Sequence, residues 1–497
     1  MDTAKFYLRR IRGFWNEYIR NKIGIAGIAL TAFFVFLALF GPLLTPYNQY
    51  GSPELAYKFA MPQWVTIFPQ YKDLPPTIKT PLNWSVTQGS EFVDVQLGEE
   101  LVVNYTGGGV ETDIFLGKNF SYLYSLPPVF DTSFRWNVKP VPEGEVGYSI
   151  ELMLVRWNDT ISYSLWDSNI DPSISLWQRN TAYAYTSVPS PYYLKLNITS
   201  KLVRIDSRTT EFVTQRFGLE YTPRVLAETI FSQKGEYGLL VHIRFKPNSL
   251  NATCKIRLLK FKEFRVLGRV QGILGADHAG GDIWAQLVYG ARVSLMIGMT
   301  AAAILSFIGL AVGVVSGYVG GVVDEISMRL VDTLICLPVL PLLMGLSRAY
   351  GQSVWLIVML VAAFSWVYLA RIIRAQVLTL REMTFIEAAK SMGSGRFHII
   401  ARHIVPNVLP TLFAGLVLAI PEAILWEASL SFLGLGDPML MSWGKMLNNA
   451  FKLFGFRNFV WWWILPPGLA IMLTCLGFVF IGHAIDAIVN PRLRRRR

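Results

Sequence analysis

The sequence predicts an α-helical polytopic membrane protein of about six spans, with an all-β, sandwich-like domain inserted after its first helix. Two observations predict it. Uncharged apolar runs lie near the N-terminus and again beyond about residue 285, so that 52% of the 497 residues are hydrophobic and only 16% charged; a water-soluble chain carries nearer a quarter charged. Between these runs, residues 48–270 switch to short alternating segments rich in Val, Ile, Tyr and Thr, the period of half-buried strands.

The first run, Ile23 to Leu44, carries no charge and would rise roughly 33 Å as a helix, enough for a bilayer core. Lys5, Arg9, Arg10, Arg12, Arg20 and Lys22 precede it, as they would a signal peptide. Its apolar core is too long for one, and it ends at Gly41-Pro42 without a small-x-small cleavage site, so it reads as an uncleaved anchor. Five further spans are drawn at 286–316, 327–347, 353–373, 408–433 and 461–485. Even numbering places both termini on one side, and the charges agree. Basic residues crowd the N-terminal tail, the loop from Arg371 to Arg402, and Arg492 and Arg494 to Arg497, whereas the opposite segments hold only Arg348, Lys445, Lys452 and Arg457. The expectation is a plasma-membrane protein with both tails (1–22 and 491–497) and the loop 374–407 cytoplasmic. The first span then occupies 23–47, the β-rich domain 48–270 is extracytoplasmic, and 271–490 forms the main membrane domain. The net charge of +12 is absorbed by this orientation, and no nucleic-acid partner is expected.

Within the outer segment, Glu100 to Tyr105, Tyr148 to Val155, Ile161 to Leu165 and Leu239 to Phe245 read as strands. Turn clusters such as Gly107-Gly108-Gly109 and Pro140 to Gly144 separate them. All six N-x-S/T sequons, at Asn83, Asn104, Asn119, Asn158, Asn197 and Asn251, fall here, which suits an external glycosylated surface. Sequons without a disulfide framework suit an archaeal envelope. Trp136, Trp157, Trp166, Trp177 and the Tyr183–Tyr185 region form either the sandwich core or a sugar- or peptide-binding face. Cys254, Cys336 and Cys475 are scattered, the five histidines show no zinc spacing, and no metal site is expected.

The loop between the fourth and fifth spans carries the most specific signal. Thr384 followed three residues later by Glu387 predicts a capping box that starts a short helix, and Gly393 predicts its left-handed stop. Ser394 is placed to cap a second helix through Phe397, Ile399 and Ile400 that Pro406 ends. Phe385, Ile386, Ala389 and Met392 then offer apolar side chains to a partner's groove, while Ala388 and Ala389 admit close backbone approach. A helix so short is marginal alone in water, which favours docking.

The run Glu387-Ala388-Ala389, with Gly393 four residues on and His403, Ile404, Val405 and Pro406 beyond, resembles the EAA signature of binding-protein-dependent ABC importers. His403 followed by Ile404, Pro406 and Asn407 is similar to the dipeptide/oligopeptide/nickel branch, C-type subunit. So are Tyr289 to Leu295, Met328 to Asp332, Glu427 to Gly436, Ser442-Trp443-Gly444, Pro467 to Ile471 and Asn490 to Arg494; Arg20-Asn21-Lys22 and Pro46-Tyr47 match the family's N-terminal anchor. Departures are the long β-rich connection, Gly281 where the family's Gly-Thr-Asp-x-x-Gly-Arg-Asp motif carries Arg, and His483 where an acidic residue is common.

The resemblance implies a type I importer permease fold, with Thr384, Glu387, Ala388, Ala389, Gly393, His403 and Pro406 in a coupling loop seated on an ATPase. It also implies a second homologous permease, two ATPase subunits that bind ATP and Mg, an extracytoplasmic solute-binding protein, and membrane lipids around the spans. This chain itself has no P-loop, because Gly444-Lys445 lacks the upstream Gly and the following Ser/Thr, so no cofactor and no catalysis are expected of it. Di- or oligopeptides are the expected cargo, with oligosaccharides as the alternative. The β domain is expected to dock the binding protein. Glu422 and Glu427, late in the fifth span, are candidates for the translocation pathway, with structural pairing as the other reading of each. Asp332, one turn after Arg329, reads as a helix-surface ion pair, and Pro338, Pro341, Pro421, Pro466 and Pro467 as kink sites. Two other functions fit the sequence less well. A membrane enzyme would need acidic or metal-binding motifs in the outer loops, which hold isolated carboxylates only, and an anchored solute-binding receptor would need a single span.

Overall fold

The computed structural model describes residues 15, 17–80, 84–88, 91–97, 101–125, 127, 129–139, 146–167, 185–186, 199–206, 225–251, 253–259 and 263–489. The chain divides into a helical unit, Met1–Ser52 with Gly281–Arg497, and a β-rich unit, Pro53–Gly280. Helix α1 (Lys22–Leu44) opens the helical unit; the Asn21 side chain caps it by accepting from the Ile23 and Gly24 amides at 3.1 and 3.4 Å.

The β-rich unit is built as two antiparallel sheets. One runs β1 (Ile78–Thr80), β13 (Phe264–Leu267), β6 (Val129–Lys139), β12 (Cys254–Leu259), β4 (Leu101–Tyr105), β3 (Val93–Leu97), with β10 (Thr199–Asp206) also on β6 and β9 (Tyr185–Thr186) on β10. The other runs β2 (Ser85–Gln88), β5 (Thr112–Tyr122), β11 (Gly235–Pro247), β7 (Val146–Arg156), β8 (Ile161–Asp167). Alternate residues of the facing sheets, among them Val103, Ile256 and Val266 from the first and Ile114, Leu116, Leu239, Ile243 and Leu152 from the second, fill one core. Helix α2 (Val225–Ile230) adds Leu226, Ala227 and Ile230 to it. The expected sandwich is therefore present.

Of the four tryptophans read as either core or binding face, the described side chains include Trp157 alone, since those of Trp136 and Trp166 lie outside them. Tyr105, Tyr122, Tyr237, Phe130, Phe231, Phe245 and Phe264 make the core, while Trp157 is exposed and donates from Nε1 to Asn119 Oδ1 at 3.1 Å. Trp177, Tyr183, the Pro140–Gly144 turn cluster, and the sequons at Asn83 and Asn197 lie outside the described residues. Asn119, Asn158 and Asn251 are exposed and Asn104 is half-buried on β4.

Two charge clusters, one across β5 and β11 and one at the end of β7, tie the second sheet together and give the unit a pH dependence. Asp113 on β5 accepts from Arg244 Nε and lies 2.7 Å from His242 Nε2. Asp159 takes Arg156 bidentately, and the buried Arg156 also donates to Ser232 Oγ and the Ile230 carbonyl, joining β7 to the end of α2. The arginine hydrogen bonds hold both carboxyl groups below the usual aspartate value. A depressed folded pKa contributes stability that is present above the unfolded value of about 3.9 and lost as pH falls through the lower folded value. Hydrogen exchange of the intact chain should accordingly show β7 and β11 losing protection as pH falls below about 4, and Asp159→Asn with Asp113→Asn should flatten that loss. Unchanged acid lability in the double variant would assign it to other groups.

Beyond the β-rich unit, Asp282 caps α3 (Ile283–Val319) by accepting from Ala285 N at 2.8 Å. Then follow α4 (Gly321–Cys336), α5 (Val339–Tyr350), α6 (Val354–Arg381), α7 (Thr384–Ser391), α8 (Arg396–Ile399), α9 (Val405–Phe432), α10 (Trp443–Lys452) and α11 (Trp461–Val489). Among the described residues, five helices or continuous helical runs are long and apolar enough to cross a bilayer: α1, α3, α6, the run Arg396–Phe432, and α11. The span expected at 327–347 is corrected. It is the pair α4–α5, bent by 87° at Leu337-Pro338. Pro338 lacks an N–H and forces Leu337 out of the helical region, to ψ 137°, so a straight helix cannot pass.

The spans pack through small residues. Gly309, Gly313 and Gly317 repeat every fourth position of α3 and lay one stripe of it against α6. A Cβ at Gly313 would stand 2.6 Å from the Ala370 carbonyl oxygen, and one at Gly27 of α1 2.8 Å from that of Gly477 on α11. Close backbone approach replaces the hydrophobic drive that lipid cannot provide. The ion pair expected between Arg329 and Asp332 is also corrected: Asp332 reaches across to Arg371 of α6 at 2.5 Å, and Asp324 binds Arg374 bidentately. Both pairs tie α4 to α6.

Candidate coupling site and membrane carboxylates

Helix α7 starts one residue earlier than its sequence suggests. Met383 is the N-cap (φ −76°, ψ 143°), with no side-chain capping bond, and its carbonyl accepts from the Ile386 and Glu387 amides at 2.9 and 3.2 Å. Thr384 is thus the first helical residue, and the expected Thr384–Glu387 capping box is not formed. Glu387 instead sits exposed in the first turn, where the positive end of the helix dipole favours a carboxylate. The stop is as expected. Gly393 adopts φ +83°, and Gly393 N→Lys390 O (2.9 Å) with Ser394 N→Ala389 O (3.1 Å) close both bonds of a Schellman motif.

The second helix also departs from expectation. Gly395, not Ser394, is the N-cap of α8, and Pro406 does not end the helix. A π turn, Ile400–Ile404, joins α8 to α9, with Val405 N bonded to Ile400 O. The wider turn accommodates the missing Pro406 N–H and the crowding of its ring on the preceding turn, so the helix continues.

The two faces of α7 divide the residues that the sequence placed together at a partner. Ile386 and Ala389, three apart, are fully buried among Tyr318 of α3, Ile373 and Val377 of α6, and Ile399, Ile404 and Val408 beyond the loop. They belong to this chain's own core, not to a partner's groove, and only Ala388 of the alanine pair is open. The outward face presents Thr384, Phe385, Glu387, Ala388 and Met392, the last 79% exposed. Phe397 follows at 83%. His403 lies half-buried, its ring 6.2 Å from that of Phe385 and 6.3 Å from that of His398, and its carbonyl accepts from Asn407 Nδ2 at 2.6 Å. The anchors Tyr318, Ile399 and Ile404 escaped the sequence reading, although the spacing of Ile386 and Ala389 marks one face.

The structure separates the two membrane carboxylates. Glu427 faces inward and is buried, so it lines no open surface of the unit. Its Oε1 accepts from Ser431 Oγ at 2.6 Å and its Oε2 from Ser294 Oγ of α3 at 3.4 Å; Ser442, the N-cap of α10, stands beside it. Ser294 Oγ in turn accepts from Trp443 N, and the fully buried Trp443 donates from Nε1 to the Leu287 carbonyl at 2.9 Å. Glu427 therefore fastens α3, α9 and α10 together. Glu422, one turn and a half earlier, lies on the exposed side of α9 and accepts from Trp426 Nε1 at 3.3 Å.

The sequence that folds into this bundle is similar to known proteins over both its N-terminal span and its main membrane domain. The family model for the binding-protein-dependent transport system inner membrane component matches residues 309–495, and that for the N-terminal TM domain of oligopeptide transport permease C matches residues 10–76. A putative peptide permease protein of Brucella ovis is 39% identical over 219 residues, covering 44% of this chain and 72% of that protein. The chain belongs to the family of binding-protein-dependent transport system inner membrane components. This permease is also similar to the probable D,D-dipeptide transport system permease of Escherichia coli and the dipeptide transport system permease of Bacillus subtilis. Each is 36% identical over 222 residues, covering 44% of the permease and 72% and 69% of those proteins. It is a multi-pass membrane component of an ABC transporter and not an enzyme.

Proposed function

We propose that this permease forms half of the translocation pathway of an ABC importer for di- or oligopeptides, as its C-type subunit, with α7 as its coupling helix. The observation that carries the coupling role is the division of α7. Ile386 and Ala389 bind it to a core shared by α3, α6 and α9, while Phe385, Glu387, Ala388 and Met392 face outward. A push on the outer face is thereby delivered to three spans at once. Peptide cargo is supported by the relatives, whose names specify peptides and dipeptides. The partners are a second permease, two ATPases that bind ATP and Mg, and an extracytoplasmic binding protein.

The distribution of Lys and Arg supports cytoplasmic termini and loop, with the bent pair α4–α5 counted as one crossing, and an extracytoplasmic, glycosylated β-rich unit in an archaeal envelope. We assign docking of the binding protein to that unit. Glu422 is assigned to the pathway: an exposed carboxylate on an apolar span costs about 2.5–3.5 kcal/mol in lipid, which favours burying its face against the second permease or water.

Reconstituting the permease with its partners in proteoliposomes tests the coupling role. Glu387→Arg and Ala388→Trp alter only exposed positions, so membrane insertion and melting temperature should hold. Interface anchors commonly contribute about 2 kcal/mol or more, so ATPase affinity should fall at least roughly thirtyfold, and ATP-driven peptide uptake with it. Full uptake in both variants would refute the coupling role of α7.

A further inference from the structure

The loop that carries α7 encloses a feature that the coupling role does not use. A cavity of about 500 Å³ lies where α3 and α6 end, lined by Tyr318, Arg381, Lys390, Gly393, Ser394 and Arg396 among others. Three of its walls are cations, and no described carboxylate forms an ion pair with any of them. Asp324 feels the Arg381 charge only at longer range, its oxygens being taken by Arg374. What the cations contact is weak: Arg381 Nη1 stands 3.5 Å from the Gly317 carbonyl, and Lys390 Nζ lies over the Tyr318 ring at 6.0 Å. Two neighbouring cations of α6 do find acids, Arg371 at Asp332 and Arg374 at Asp324, so the nearest described carboxylates are already taken. Three converging positive charges around one cavity that no acid lines repel each other, and an anion held among them would relieve that repulsion.

The position of the cavity specifies the anion further. Tyr318 follows directly on the apolar stretch of α3 drawn at 286–316, and Arg381 lies beyond that of α6 drawn at 353–373, so the cavity is just outside the apolar spans, within reach of an anionic membrane surface. Tyr318 has the amphipathic ring favoured at that depth, and Arg381 ends the helix whose residues precede it. A phosphate group carries several acceptor oxygens, which suits two guanidinium groups and an ammonium arranged around it. We propose that the cavity bounded by Arg381, Lys390 and Arg396 is a binding site for a phosphate-bearing anion, supplied by the headgroup of an anionic phospholipid. The site braces α7 against the ends of α3 and α6, because Lys390 belongs to α7, Arg381 to α6 and Tyr318 to α3. Lys390 lies off the outward face of α7, so occupancy is compatible with a docked partner.

Native mass spectrometry of the full chain tests it, with phosphatidylglycerol and phosphatidylcholine offered in equal amounts. The wild type should retain phosphatidylglycerol preferentially. Arg381→Gln with Arg396→Gln should lower that preference about fivefold per charge removed, whereas Arg402→Gln, a cation of the same loop outside the cavity, should leave it unchanged. Ser394→Trp fills the cavity without altering charge and should also abolish the preference. Melting temperatures of all variants, taken without lipid, separate misfolding from lost binding. A second arm adds inorganic phosphate to lipid-depleted protein. Stabilisation by phosphate that the double glutamine variant loses, without any phosphatidylglycerol preference, would uphold the anion site and assign it a soluble ligand. Equal effects of Arg402→Gln and the cavity variants on lipid retention would overturn it as general surface attraction. Normal lipid and phosphate binding in the cavity variants with impaired ATPase assembly would overturn it in favour of a partner's carboxylates. Because Glu387→Arg leaves the cavity intact, it should keep the lipid preference even where coupling is lost.

Discussion

Replacing Ile386 by an aspartate is expected to free the coupling helix from the spans and abolish uptake, while the chain stays inserted and its spans stay packed. Ile386 is fully buried, and its neighbours in the cluster are aliphatic or aromatic. A carboxylate there would have no partner, and an unpaired buried charge costs about 3–5 kcal/mol or more. The helix has little to resist that with: eight residues are too few to be stable in water, and its N-cap lacks a side-chain bond. The spans do not depend on it, because the glycine stripe of α3 against α6 lies outside the loop. Local opening is thus less costly than global unfolding, and it would return the introduced carboxylate to water. Amide exchange of residues 384–392 should accelerate by roughly a hundredfold or more, with ATP hydrolysis no longer producing peptide uptake. Ile386→Val, which removes one methylene at about 0.5–1.5 kcal/mol, should retain most transport. Phe385→Ala, at the exposed neighbour, should leave exchange of the helix unchanged and weaken only ATPase docking. Identical exchange in Ile386→Asp and wild type would show that the core does not hold α7.

The contrast between Phe385 and Ile386 also marks the limit of what the sequence revealed. Apolar residues at helical spacing announce a face that must be covered, but they do not say whether the cover is the same chain or another. Ile386, Ala389 and Met392 therefore read alike, and only the fold separates the two anchors from the exposed methionine. Gly393 was legible because left-handed backbone is a local demand that glycine meets. Thr384 was misread because a capping box needs a side chain at the N-cap, and the Met383 carbonyl begins the helix one residue sooner. The strands of the sandwich followed from alternation, which is enforced wherever one face meets a core. The bend at Pro338 was legible as a kink site but not as an 87° break, and the π turn before Pro406 left no sequence trace beyond the proline itself. The close packing of α3 on α6 has its sequence mark in the Gly309, Gly313 and Gly317 repeat, because small residues at every fourth position are how membrane helices come close.

Glu427 and Glu422 make the second large prediction, because two carboxylates on one helix should fail in opposite ways. Glu427→Ala is expected to destabilise the helical unit by ~3 kcal/mol, within the roughly 2–5 kcal/mol range for truncating a buried side chain, lowering the melting temperature by roughly 6–12 °C. Ser431 and Ser294 donate to that carboxylate, and Ser294 also holds the Trp443 amide, so removing it leaves donors unpaired in a buried site. The backbones cannot close the space. Gly444 already approaches Ala428 so tightly that a Cβ would stand 2.6 Å from its Cα, and one at Gly290 would stand 2.8 Å from the Trp443 ring. Glu427→Gln keeps the volume and an acceptor oxygen, and should cost about 1 kcal/mol, near the value of a single membrane hydrogen bond. Glu422→Gln lies on the open side of α9, bonded to Trp426 one turn away, and should shift the melting temperature by no more than about a degree or two. Its effect should fall on uptake instead, as a changed transport rate or cargo preference in proteoliposomes at constant ATPase assembly. A heat-stable Glu427→Ala would remove the clamp, and a Glu422→Gln transporter indistinguishable in rate and selectivity would remove Glu422 from the pathway. The two measurements are independent, so a stability loss at Glu427 with silence at Glu422 would retain the architecture and overturn only the route assigned to the peptide.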